Sequence, residues 1–432
     1  MAGMIDRRQA LALGAAAIAT PAVARGSRDA FLWGAATAGH QVEGNNVNAD
    51  IWLLEQMKPT LFAEPSGDAC DSLHRWDEDV AIVKALGLTA YRFSVEWARI
   101  EPADGQFSQA FLDHYARIVD RCRASGLAPV VTFNHFTTPR WFAARGGWEA
   151  PDAPTLFARY CDRVARAMAH GISHALTFNE PNLSIGGPWS RFQPSAKMRE
   201  TTQAMIAAAA KASGSDRFSL LNGGDPTPMI PGVLRAHRLG RAAIKAVRGD
   251  LPVGLSLAIS DDVSIGGDKL LAAKRRASYE PFFEAGRDDD FVGVQTYERT
   301  YLRADGPADA PKSIERRADG KPYEPGAIGG SVRYAHRATG KPILVTENGI
   351  DASDDRERAR FIPDAVAAVE AARRDGVPVL GYIHWSLLDN FEWFSGYKPR
   401  YGLVAIDRAT FKRTVKPSAH VLGKIARAGG TR

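Results

Sequence analysis

Eight short apolar runs recur along this chain, each followed by a stretch patterned for a helix. They are Phe31–Ala36, Ala90–Val95, Ala128–Phe133, His174–Phe178, Pro252–Ala258, Phe291–Thr296, Pro342–Thr346 and Val379–His384. Runs that are apolar on both faces suit parallel strands covered by helices. Between them, Phe107–Ser125 aligns Phe111, Tyr115, Ile118, Val119 and Cys122 on one stripe. "ASGLAPVV" then sets a glycine at the helix end before the next strand. Similar helical patterns cover Pro154–His170, Pro231–Val247, Asp355–Arg374 and Pro417–Ala426. Eight such units in a chain of 432 residues predict an α/β fold, a (β/α)8 barrel in one domain with enlarged βα loops. A doubly wound open sheet is the alternative, but no GxGxxG follows the first strand. Residues 183–230, rich in turn formers ("SIGGPWSRFQPS", "LNGGDPTPMIPG"), read as long loops at one mouth of the barrel.

Composition narrows the function. The chain is 45% apolar and 24% charged, as in an ordinary soluble protein. Its net charge of +6 comes from scattered Lys and Arg interrupted by acids such as Asp288, Asp289 and Asp290, which argues against a nucleic-acid partner. Cys70, Cys122 and Cys161 are odd in number and far apart, so neither a disulfide framework nor a metal site is implied, and no cofactor is expected. The first 24 residues pair Arg7 with Arg8, continue through an apolar stretch from Ala10 to Ile18, and end in Ala22-Val23-Ala24. That is the layout of a cleavable export signal of twin-arginine type, too short to span a bilayer. It predicts a periplasmic or secreted protein, with residues 25–432 as its folded domain and no membrane insertion after cleavage.

Two strand candidates end in a glutamate. "TFNEP" delivers Glu180 after the fourth run, and "VTENG" delivers Glu347 after the seventh. In a (β/α)8 barrel both side chains reach one bowl at the C-terminal ends of the strands. Paired carboxyls in a shared cleft suit glycoside hydrolysis, in which one stays protonated and the other ionised. Each glutamate alone is equally explained by a salt bridge at a loop base, but the surroundings favour a sugar site. Asn179 precedes Glu180, and "HWSLLDNFEWFSGY" places Trp385, Glu392 and Trp393 at the eighth strand's mouth. Indole faces stack on pyranose C–H faces, and carboxylates accept from hydroxyls. Gln41 and Glu43 follow the first run, and Asn134 and His135 the third.

Together these motifs resemble glycoside hydrolase family 1, the β-glucosidase family. "FLWGAATAGHQVEG", "YRFSVEWARIEP", "LTFNEP", "ILVTENG" and "HWSLLDNFEW…GY…RYGLVAID" occur in the family's order, from about Phe31 to Ala419. The resemblance implies a retaining mechanism with Glu180 as acid/base and Glu347 as nucleophile. It implies that Gln41, His135, Asn179, Glu392 and Trp393 hold the nonreducing sugar's hydroxyls over Trp385. Arg92 resembles the family arginine beside the nucleophile, and Tyr297 the tyrosine that hydrogen-bonds it. Glu180 stands where plant thioglucosidases carry Gln, and Glu392 is retained where members acting on 6-phosphosugars have a small residue. The expected partner is therefore a neutral small-molecule β-glycoside or oligosaccharide. Departures are Gln295, in place of the usual asparagine near the acid/base group, Phe136 in place of tryptophan, and residues 183–230. β-Galactosidase, β-fucosidase or transglycosidase activity, and a catalytically silent sugar-binding barrel, are the competing readings. The oligomeric state is not encoded in any feature of the sequence.

Overall fold

The computed structural model describes residues 31–189, 193–223, 225–266 and 268–431. The proposed export signal lies outside the described residues.

All eight apolar runs are barrel strands, with bounds within one residue of those expected. They are β1 (Leu32–Ala36), β2 (Ala90–Ser94), β3 (Ala128–Asn134), β4 (His174–Asn179), β5 (Val253–Ala258), β6 (Phe291–Gln295), β7 (Ile343–Glu347) and β8 (Val379–Trp385). Every strand pairs in parallel with its chain neighbours, and β1 pairs with β8, so the sheet closes on itself and leaves no barrel edge unpaired. The outer strand faces pack with the surrounding helices in one large core that includes Phe133, Phe157, Val294 and Val345. A separate cluster, with Val130, Leu176, Phe291, Leu344 and Ile383 from five different strands, occupies the other face, the barrel interior. The ladder between β6 and β7 slips after Val345, which leaves Glu347 paired with Gln295. The three cysteines are buried and free.

Residues 183–230 are not simply loops. Ala196–Ala212 is a helix capped by Ser195, whose side chain accepts from Met198 N at 3.1 Å. Its alanine-rich sequence has high helix propensity, and the turn formers flanking it had suggested a longer irregular stretch. Met205, Ala209 and Ala210 pack with Leu53, Leu54, Phe62 and Phe391 in a second core above the barrel mouth. A small sheet of Asp261–Ser264, Arg299–Arg303 and Gly306–Ala308 extends the loops after β5 and β6.

Candidate active site

Glu347 is the last residue of β7, and Glu180 follows the last residue of β4. Glu180 adopts φ +43, a conformation that costs a non-glycine residue energy and persists only where neighbours enforce it. The enforcement is visible. Glu180 N donates to Ser256 O at 2.9 Å and Leu183 N to Glu180 O at 3.0 Å. The Asn182 amide bonds both Ala258 N (3.0 Å) and Ala258 O (2.8 Å). Glu180 and Glu347 keep only 8% and 4% exposure, so both carboxyls are largely withdrawn from solvent.

Arg92, from β2, links these strand ends and is itself fully buried. Its Nη1 donates to Glu347 Oε1 and, at 3.2 Å, to Thr346 O. Nη2 donates to Asn179 Oδ1 at 2.6 Å and Nε to Thr132 Oγ1 at 3.2 Å. The Tyr297 hydroxyl donates to Glu347 Oε2 at 2.6 Å. Burial raises the proton affinity of both glutamates, but not equally. For Glu347 the rise is opposed by the Arg92 charge and by hydrogen bonds from Tyr297, Arg92 and Gln295. Glu180 is held well above the ordinary carboxylate range by burial and then by the Glu347 charge, with Arg92 opposing. The pair titrates jointly, and its lone proton is favoured on Glu180. Burial and the Arg92 charge keep His135 neutral, well below the usual imidazole value.

The remaining expected residues converge on the same strand ends. Asn179 Nδ2 lies 3.2 Å from His135 Nε2, and Gln295 Nε2 donates to Asn179 Oδ1 at 2.7 Å. Trp385 Nε1 donates to Glu392 Oε1 at 3.3 Å, and burial raises the Glu392 carboxyl well above its usual range. His135 stacks near-parallel on Trp385, with ring centroids 5.7 Å apart. Phe136 meets Trp393 edge-on at 5.3 Å. Gln41 Nε2 donates to Phe391 O at 2.7 Å.

Two residues of "GHQVEG" do something the sequence reading missed. His40 lies parallel to Trp393 at 5.7 Å and bonds Glu55 Oε1 at 2.9 Å, so it backs that indole. Its position beside Gln41 was the available signal. Glu43, in contrast, turns away to Arg99 Nε (2.7 Å) and the Tyr115 hydroxyl (3.0 Å) and belongs to the scaffold. Asn134 is also a scaffold residue, donating to Thr137 O at 2.8 Å. Gln41 Oε1, His135 Nδ1, Gln295 Oε1 and Asn390 Nδ2 are buried without a hydrogen-bond partner among the described residues. Such a mixture of acceptors and nitrogen donors suits ligand hydroxyls, which both donate and accept.

The sequence matches the profile of glycosyl hydrolase family 1 over residues 25–218 and 306–431. The chain belongs to this family. Among family 1 relatives, β-glucosidase A of Thermotoga maritima is 30% identical over 445 residues, covering 93% of this chain and 98% of its own. A β-glucosidase of an Agrobacterium species is 30% identical over 437 residues, covering 90% and 92%. The apo structure of a β-glucosidase designated 1317 superposes with TM-score 0.89 at 45% identity, covering 93% of this chain and 99% of that one. The β-glycosidase BGL167 does so with TM-score 0.87 at 48% identity, covering 93% and 97%. The family 1 match lapses over residues 219–305. That gap starts later than the expected departure at 183–230 and takes in β5, β6 and Gln295.

Proposed function

We propose that this protein is a retaining β-glucosidase that hydrolyses terminal nonreducing β-D-glucosyl residues by double displacement. One observation carries the reading. Two buried carboxyls lie close enough for the Glu347 charge to act on Glu180 but have unequal partners, Glu347 with Arg92 and Tyr297 to hold a negative charge, Glu180 with an environment that favours a proton. In the first step an oxygen of Glu347 bonds the anomeric carbon while the bond to the leaving oxygen breaks, and Glu180 gives that oxygen its proton. Water then attacks the same carbon, Glu180 takes its proton, and Glu347 leaves as carboxylate, so the β configuration is restored. Gln41, His135, Asn179, Glu392 and Trp393 hold the sugar's hydroxyls in this reading, and Trp385 is the platform beneath it. A silent sugar-binding barrel gives no reason for so unequal a pair.

The relatives' names favour glucose. A second reading, β-fucosidase activity alongside, is supported by a relative from Bifidobacterium breve named a bifunctional β-D-glucosidase/β-D-fucosidase, 26% identical over 465 residues. Aryl β-glycosides of glucose, fucose and galactose with product analysis separate these and any transglycosidase activity.

The experiment that tests the mechanism is Glu347→Gly. Turnover of an aryl β-glucoside is expected to vanish, and azide to restore part of it with an α-glycosyl azide as product. A rescued β product, or undiminished turnover without azide, overturns the assignment. Export through the twin-arginine route is also proposed, supported by the pattern of residues 1–24 and by a family match that begins at residue 25. Replacing Arg7 and Arg8 by lysine is expected to leave the protein in the cytoplasm; unchanged secretion refutes it.

A further inference from the structure

Two residues beyond Glu180, Asn182 completes the β4–β5 ladder with its side chain. Glu180 N, on the strand's last turn, still donates to Ser256 O on β5 at 2.9 Å. The next residue, Pro181, has no N–H with which to continue the pairing. Yet both backbone groups of Ala258, the last residue of β5, are met from this side. Asn182 Oδ1 accepts from Ala258 N at 3.0 Å, and Nδ2 donates to Ala258 O at 2.8 Å. One side-chain amide thus stands where a peptide unit of β4 would stand. The second hydrogen on Nδ2 goes to Ser278 O at 3.2 Å, at the end of the helix Asp268–Ser278. These contacts fix which end of the amide is oxygen, because only the nitrogen can serve two carbonyls. Asn182 is 2% exposed. Ala258 and Ser278 both lie within residues 219–305, so the tie is made to the part of the barrel over which the family 1 match lapses.

We infer that Asn182 is a positioning residue for proton transfer: by completing the β4–β5 ladder it holds the Glu180 backbone in its left-handed turn and so aims the acid/base carboxyl at the leaving oxygen. The inference rests on the double-displacement reading, in which Glu180 first gives and then takes the proton. A left-handed backbone persists at a non-glycine residue only where the surroundings over-determine it. Leu183 N donates to Glu180 O at 3.0 Å and closes the turn on itself, with Asn182 inside it. The Asn182 amide is what fastens the far end of that turn to β5 and to the helix Asp268–Ser278. Without it, Glu180 keeps its own N–H bond to Ser256 but can relax towards ordinary φ and carry its carboxyl away. Glu347 is held on β7 by Arg92 and Tyr297, which Asn182 does not touch. Attack by the nucleophile should therefore survive a change that proton transfer does not.

The test measures kcat/KM on octyl β-glucoside, whose leaving oxygen needs a proton, and on 2,4-dinitrophenyl β-glucoside, whose leaving group departs without one. Wild type, Asn182→Ala, Glu180→Gln and the double variant are compared. Asn182→Ala is expected to lose about ten- to a hundredfold on the octyl glucoside, as for a misplacement of about 1 Å, and less than about threefold on the dinitrophenyl glucoside. In the Glu180→Gln background the same change is expected to cost less than about threefold on either substrate, because a residue that acts through Glu180 has nothing left to aim. Thermal denaturation checks folding. Asn182→Ser, whose hydroxyl has one hydrogen and cannot serve both carbonyls, repeats the comparison with a smaller cavity and is expected to show the same pattern, reduced in size. Equal losses on the two substrates, or the full loss repeated in the Glu180→Gln background, assign Asn182 a purely structural role and overturn the inference. So does wild-type activity on the octyl glucoside in both Asn182 variants. Equal losses for Glu180→Gln alone are a separate result, which sinks the acid/base reading and takes this inference with it.

Discussion

At Gly349, two residues beyond Glu347, the exits of β7 and β8 run close together. A Cβ at this position would lie 2.0 Å from the backbone oxygen of Trp385 and 3.5 Å from His384 Cε1. The first obstacle is main chain and has no rotamer to escape into. Trp385 N also donates to Asn348 O at 3.0 Å, which binds the two exits together from the other direction. For Gly349→Ala the gap must widen by roughly 1 Å or more before the contact is tolerable, and overpacking of this kind costs about 1–3 kcal/mol. The widening separates Glu347 from Trp385, and a misplacement of about 1 Å in an active site costs on the order of a hundredfold in rate. The expected outcome is kcat/KM on an aryl β-glucoside about a hundredfold down, mostly in kcat, with a measurable loss in denaturant midpoint. Activity within threefold of wild type, at unchanged stability, would show that the strand exits are not held as tightly as this geometry requires.

Asp50 is buried, and its carboxylate accepts from Ile51 N (2.7 Å), Thr138 N (3.0 Å) and the Thr138 hydroxyl (2.8 Å), with no ion-pair partner among the described residues. Burial pushes its pKa from 3.8 up to about 6, so the folded chain binds the proton more tightly than the unfolded chain. That group's contribution is greatest at low pH and is lost as pH rises from about 4 through 6. Asp50→Asn keeps the shape and removes the charge. It is expected to match wild type near pH 4 and to gain up to about 3 kcal/mol by pH 8; chemical denaturation at both pH values checks this, and a gain independent of pH refutes it. Glu180→Gln should lose the alkaline limb of the pH–kcat/KM profile. It should also spare dinitrophenyl glucosides while slowing alkyl glucosides by about 10²–10⁴-fold; equal losses on both deny Glu180 the role of acid.

The barrel was legible because its strands are apolar on both faces and its helices carry a stripe and a stop. The paired glutamates were legible because a strand end is a fixed place in this architecture. Other features depend on contacts that periodicity does not carry. The helix Ala196–Ala212 is stabilised partly by the loops after β1 and β8, distant in sequence. His40 gains its role only when the eighth loop brings Trp393 over it. Gln295 was expected to shift the hydrogen-bond network around the acid/base group, and its amide bonds Asn179, the residue before Glu180. Its place beside Glu347 follows from a slip in the β6/β7 ladder that no residue pattern announces.

Arg92 reaches from β2 to residues on β3, β4 and β7 through three nitrogens. Its hold on the Glu347 charge therefore lasts only while those staves stand shoulder to shoulder. Gentle loosening of the ring, by heat or denaturant, should silence the chemistry well before the helices melt, making turnover a more sensitive gauge of closure than circular dichroism.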